Sequence, residues 1–118
     1  MAKSINAIRL SKYDKIWAKK VRERDGACLY CGSTEYLNAH HFKGRASKST
    51  RLMLENGVTL CSKHHVFSSE WSAHKTPEKF TKWFKKNFAD RYKLIIKKAQ
   101  TMMSERLAIQ EFINETEN

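Results

Sequence analysis

Apolar residues recur along the chain at a spacing that changes from segment to segment, and the changes mark out elements. Ile16, Trp17, Ala18 and Val21 form a stripe that predicts a helix over 12–24. Ser11-Lys12-Tyr13-Asp14 places a hydroxyl and a carboxylate where they can satisfy free amides at its start, and Gly26 stands where it would end. Segments 36–42 and 57–60 read as two short strands, and 43–51 between them as a polar, basic loop. From Ser62 onward the pattern fits another helix, with Val66 and Trp71 turned inward. Thr76-Pro77-Glu78 is a helix start, with Pro at the first helical position and an acid in the first turn, and Phe80, Trp83, Phe84 and Phe88 then recur as a core-facing stripe. Asp90 is placed to cap a last helix running to about Asn114, with Tyr92, Ile95, Ala99, Met102, Ile109 and Ile113 as its seam. Arg106 interrupts that seam, which either packs on the domain or pairs with a second copy as a short coiled coil.

These elements give an α+β chain, and 118 residues suit a single domain over 1–118, with a core at about 28–74 and a C-terminal helical extension at about 76–118. A chain this short buries a modest share of its surface, so an internal metal crosslink would add stability that the apolar core lacks. No run of about twenty apolar residues exists to span a bilayer, and the first six residues carry no hydrophobic signal core. The expectation is a soluble, cytoplasmic protein with no membrane partner. Twenty-three Lys and Arg against twelve Asp and Glu leave a formal charge of +11, which favours polyanions. Lys75, just before Thr76, and Lys79, Lys82, Lys85, Lys86, Arg91, Lys93, Lys97 and Lys98 after it concentrate that charge in the C-terminal half, as a solvated face or a phosphate-tracking one.

All three cysteines and four of the five histidines fall between Cys28 and His65. Cys28-x-x-Cys31-Gly32 lets a tight turn aim two sulfurs at one tetrahedral ion, and Cys61-x-x-His64 repeats the spacing with histidine as the last ligand. An odd number of cysteines argues against a closed disulfide framework, and a thioredoxin-like redox pair would need a βαβ context that the pattern does not show. The two halves together read as a closed structural Zn2+ site.

With these frames in place, Ala39-His40-His41, Asn56 and His65 resemble the HNH endonuclease family, the zinc-framed branch of the ββα-metal nucleases, over about a third of the chain. The run His41-Phe42-Lys43-Gly44-Arg45, Ser49-Thr50-Arg51 and Glu55-Asn56 is similar to small phage HNH proteins associated with recombination. The resemblance implies a small ββα-metal core held by the zinc site and surrounded by N- and C-terminal helices. It implies that His41 is the general base, that His40 and His65 hold a catalytic divalent cation, expected to be Mg2+, and that Asn56 ties the loop across the strands and orients His41. A pair of adjacent imidazoles suits this division, since neutral imidazole is both a base and a ligand near pH 7. On a helix, consecutive residues diverge by about 100°, so His64 and His65 would reach different ions. Asn56-Gly57 also reads as an ordinary turn. Lys43, Arg45 and Arg51 are candidate nucleic-acid contacts, a guanidinium fork matching phosphate geometry. His74 lies outside the pattern and reads as a surface histidine.

The resulting expectation is a metal-dependent DNA endonuclease that leaves 5′-phosphate and 3′-hydroxyl ends, one site cutting one strand. Phosphate contacts distinguish DNA from RNA poorly, so both remain open as partners. Two other classes fit parts of the same sequence. A non-catalytic zinc-dependent nucleic-acid-binding module explains the charge and the zinc ligands but leaves His40, His41 and His65 without a role. An interaction protein assembling through its last helix, as a homodimer or in a larger complex, explains the C-terminal seam.

Overall fold

Two short strands carry the residues on which the rest is hung. A computed structural model describes residues 5–117, with side chains from residue 9, as an α+β fold. Strand β1 (Leu37–His41) pairs antiparallel with β2 (Gly57–Cys61), in a register that sets His40 opposite Val58 and His41 opposite Gly57. Every residue of β2 is buried. Alternate side chains of a strand face opposite ways, and here each face has a helical cover. Val58 and Leu60 join Phe80, Phe84 and Ile95 in one apolar cluster, while Gly57 lies against Trp17 and Val21 of a second. Thr59, the polar residue between Val58 and Leu60, is buried too and satisfies its hydroxyl internally by donating to the Val21 carbonyl.

Helix α1 (Ile5–Asp25) supplies that second cover. It begins well before the expected start, so Ser11 and Asp14 stand inside it and the capping-box reading fails. The end is as expected: Gly26 takes a φ of +70° and donates its amide to the Arg22 carbonyl. Within the predicted loop Lys48–Arg51 forms a single helical turn, α2, and beyond it Leu54–Asn56 forms a 3-10 turn leading into β2.

After β2 the expected helix is only a five-residue π-helical turn, Lys63–Phe67. Ser68 explains the stop. Its amide closes the turn on the Lys63 carbonyl, and its hydroxyl accepts from the amides of Glu70 and Trp71, which a continuing helix would have bonded internally. The chain then folds back, and Ala73 and His74 donate to the carbonyls of His64 and His65.

Helix α3 (Pro77–Asn87) starts where expected, although the Thr76 hydroxyl is engaged by the backbone of Ser72 and caps nothing. Phe80 and Phe84 are buried, with Trp83 and Phe88 packed beside them. The single last helix is in fact two, α4 (Ala89–Ala99) and α5 (Glu105–Thr116), and Asp90 lies in the first turn of α4, not at its cap. Ser104 caps α5 by accepting from the Leu107 amide, and Met102, counted into the seam, is 98% exposed between the two. Ile109 and Phe112 pack with Leu10, Trp17 and Leu52, so the chain itself covers most of the seam that a coiled-coil partner would have used. Among the described residues no helix is long and apolar enough to cross a membrane.

Candidate functional site

Cys28, Cys31, Cys61 and His64 come together as a cluster able to hold a metal ion such as zinc. The turn from Cys28 is closed by the Gly32 amide on the Cys28 carbonyl, with Gly32 at φ +81°, and is tied to β2 by the Leu29 amide on the Thr59 carbonyl. Cys31 Sγ lies 3.8 Å from Cys61 Sγ, which lies 3.3 Å from His64 Nδ1. Two sulfurs bound at about 2.3 Å to a tetrahedral ion lie about 3.8 Å apart, so the spacing fits zinc. Burial pushes the Cys28 thiol up, but the amides of Cys61, Cys31 and Tyr30 aimed at its sulfur more than offset this and hold it below its ordinary value. Tyr30 stacks on Trp71 at 3.6 Å and leans on His64, roofing the imidazole side of the cluster.

A second group of nitrogens converges nearby. His65 Nε2 lies 3.2 Å from His40 Nδ1 and 3.2 Å from His74 Nε2. An imidazole nitrogen offers one N–H or one lone pair, so His65 Nε2 makes one good hydrogen bond here and not two. One ion would satisfy all three, since nitrogens at about 2.1 Å from a common metal stand about 3.0–3.4 Å apart. Burial foremost, then His65, His74 and His41, pushes His40 down to about 3, and burial followed by His74 lowers His65. Both are therefore neutral near pH 7, as ligands must be. His74, read from the sequence as a surface histidine, is the third member. No spacing rule pointed to it, because the backbone bonds from 73 and 74 to 64 and 65 bring it there. No carboxylate joins the group among the described residues, and an all-imidazole set suits transition ions better than the expected Mg2+.

His41 faces the other way from the strand, as adjacent residues must, yet it lines the same cleft. This cleft, about 250 Å³, is bounded by Ala39, His40, His41, Gly44, Arg45, His65 and His74. The His41 ring stacks on the Trp17 indole at 3.8 Å and 12°. Its Nε2 lies 3.0 Å from the Arg51 carbonyl oxygen. A carbonyl only accepts, so Nε2 carries the hydrogen and Nδ1 keeps its lone pair. Burial pushes His41 down to about 4, with Asp14 and the Arg51 carbonyl pulling weakly upward and Arg45 and Arg51 downward.

Asn56 is fully buried and binds the backbone of Lys43 twice, accepting from its amide at 2.8 Å and donating to its carbonyl at 2.9 Å. It ties the loop after β1 as expected, whereas the hydrogen bond that orients His41 comes from Arg51. The Arg51 guanidinium is itself clamped through Nε and Nη2 onto the Asp14 carboxylate, so this side chain is not a free phosphate fork. Arg91 is likewise internal: it donates to the Glu55 and Gly57 carbonyls and lies over the Phe88 ring at 4.8 Å. Of the candidate phosphate contacts, Arg45 is exposed on the cleft wall and Lys43 is exposed beside it. No family model, curated protein or solved structure matches this chain.

Proposed function

We propose that the chain is a metal-dependent endonuclease of HNH type acting on DNA. The observation that carries the reading is one basic-rimmed cleft in which three imidazole nitrogens converge while a fourth imidazole, oriented with its lone pair at Nδ1, lines the wall. Cys28, Cys31, Cys61 and His64 would hold structural zinc, which would fix the π-helical turn that supplies His65 to the sheet that supplies His40 and His41.

His40, His65 and His74 would hold a divalent ion of transition type, such as Mn2+, Ni2+ or Zn2+, which would supply positive charge for the phosphate and its leaving oxygen. The residues of the chain do the rest. His41 Nδ1 accepts the proton of the attacking water, and the resulting imidazolium keeps its Nε2–H bond to the Arg51 carbonyl while the indole face lies against the cationic ring. The phosphate brings negative charge that raises His41 from its low value toward working pH. Arg45 contacts a non-bridging oxygen or a neighbouring phosphate from the cleft rim. Asn56 holds the loop that carries Arg45 close to β1.

Incubation of supercoiled plasmid with the protein tests this. Nicking that requires a divalent ion, stops with EDTA and is lost in His41→Ala supports the reading. A plasmid that is retarded in a gel but never nicked, under any of Mg2+, Mn2+, Ni2+ or Zn2+, favours the non-catalytic zinc-dependent binding module.

A further inference from the structure

His41 is gripped by residues that lie outside the cysteine and histidine stretch. Asp14 and Trp17 are one helical turn apart on α1, and they hold the 51–53 segment at two points. Asp14 clamps the Arg51 guanidinium. Trp17 donates its indole N–H to the Met53 carbonyl at 2.7 Å. Between these points lies the Arg51 carbonyl, which accepts from His41 Nε2. The turn α2 is four residues long and ends at Arg51, so this carbonyl falls among the last ones, which have no amide partner within the helix. The Trp17 indole, 1% exposed, also covers the face of the His41 ring.

A buried ion pair is a weak device for stability, because desolvation offsets most of its attraction, and its best-attested use is to fix geometry. Asp14 and Arg51 are 14% and 19% exposed at their side chains and sit 37 residues apart in sequence, joining α1 to the segment that bonds the imidazole. We propose that Asp14 and Trp17 are positioning residues for His41: together they fix the acceptor carbonyl and the ring plane, and so impose the tautomer whose lone pair is at Nδ1. The inference rests on the reading of His41 as the base.

The test uses the full chain loaded with zinc and compares Asp14→Asn, Trp17→Phe and Trp17→Leu with the parent. Two quantities are read: kcat and KM for nicking, and the ring nitrogen shifts of His41 in long-range ¹⁵N–¹H spectra, which report the tautomer without any turnover. Asp14→Asn and Trp17→Leu are expected to lower kcat about tenfold or more with KM little changed, as misplacement of a reacting group does. The His41 nitrogens are expected to leave the Nε2–H pattern for a mixture of tautomers. Trp17→Phe keeps an aromatic face but loses the N–H bond to the Met53 carbonyl, and is expected to lower kcat less than Trp17→Leu does. If Trp17→Leu does not fold, Asp14→Asn and Trp17→Phe decide the matter. Asp14→Asn with unaltered ring nitrogens and unaltered kcat overturns the proposal, as does a parent protein in which His41 carries its proton on Nδ1. Nicking that survives His41→Ala overturns the assignment of the base instead, and the nitrogen spectra still read the positioning separately.

Discussion

Replacement of Gly57 by alanine should destabilise the protein far more than one methyl group ordinarily does. Gly57 has φ −96°, open to any residue, so the cost comes from space alone. A Cβ there would overlap Val21 Cγ2 most severely, lie 2.8 Å from Trp17 Cζ2 and lie 3.0 Å from Val21 Cγ1, where carbon contacts are ordinarily about 3.5–4.0 Å. Neither neighbour can turn aside. Val21 is β-branched in a helix, with one preferred rotamer and both methyls facing the glycine, and Trp17 is pinned through its N–H to Met53. Helix α1 would have to lift from β2, against the Arg24 bonds to the Leu54 and Gly57 carbonyls. Overpacking of a tight core costs about 1–3 kcal/mol, and with two immobile neighbours the upper end applies. About 3 kcal/mol is about 10 °C in Tm for a chain of this length. Gly44→Ala is the control, since a Cβ there meets nothing within 4 Å, and it should stay within about 0.5 kcal/mol of the parent. Denaturant unfolding of Gly57→Ala, Val21→Ala and the double variant closes a cycle. Removing the valine methyls makes room, so the double variant should be less damaged than the two single costs added together, by about 1–2 kcal/mol. A Gly57→Ala protein that melts within about 2 °C of the parent, or a strictly additive cycle, would refute the close approach of α1 to β2.

Stripping any metal held by Cys28, Cys31, Cys61 and His64 with a strong chelator, or removing one ligand with Cys61→Ser, should abolish cooperative unfolding, because a metal bound only by the folded chain contributes its binding energy to folding; an unchanged melt after either treatment would show the cluster to be structurally idle. His74→Ala should weaken the second ion by about tenfold or more and leave the thiolate-bound ion in place, as metal analysis after dialysis would reveal. Acid should unfold the protein early. His40 and His41 fall from an ordinary 6.5 to about 3 and about 4 on folding, so the unfolded chain binds protons more readily below 6.5, and their contribution is complete above that value and lost as pH falls through it toward 4. Each imidazole contributes about 1.4 kcal/mol per pH unit in that window, which makes a denaturant midpoint that stays level from pH 7 to pH 5 the contrary result. Affinity for duplex DNA should fall steeply between low and physiological salt, whereas a flat dependence would deny the exposed lysines of α3 and α4 a role in docking.

The features legible from sequence were those whose partners lie close along the chain. Cys28 with Cys31, and Cys61 with His64, declare themselves by spacing because a single turn brings each pair together. Phe80 and Phe84 do so because a helix repeats its own face. Gly26 marks a helix end that depends on nothing beyond the preceding turn. What escaped depended on distant partners. Asp14 looked like half of a capping box, but its carboxylate belongs to Arg51, 37 residues on. That same pairing removed Arg51 from the candidate phosphate contacts. The break between α4 and α5 carries no glycine or proline, and Met102 imitated a seam residue while pointing into water. His74 reaches the cluster only because Ser68 stops the π-helical turn and sends the chain back along it.

The stretch from Cys28 to His65 therefore cannot form its own site. The third nitrogen of the imidazole cluster comes from His74, and the face and hydrogen-bond acceptor of His41 are held by Trp17 and Asp14. Gly57 shows how closely these parts are interlocked. Register sets it opposite His41, and a side chain at 57 would run into Trp17, whose indole stacks on the imidazole. Asn56 and Gly57, which taken alone read as an ordinary turn, thus have separate duties: the amide fixes the loop after β1, and the missing side chain admits the helix that holds His41.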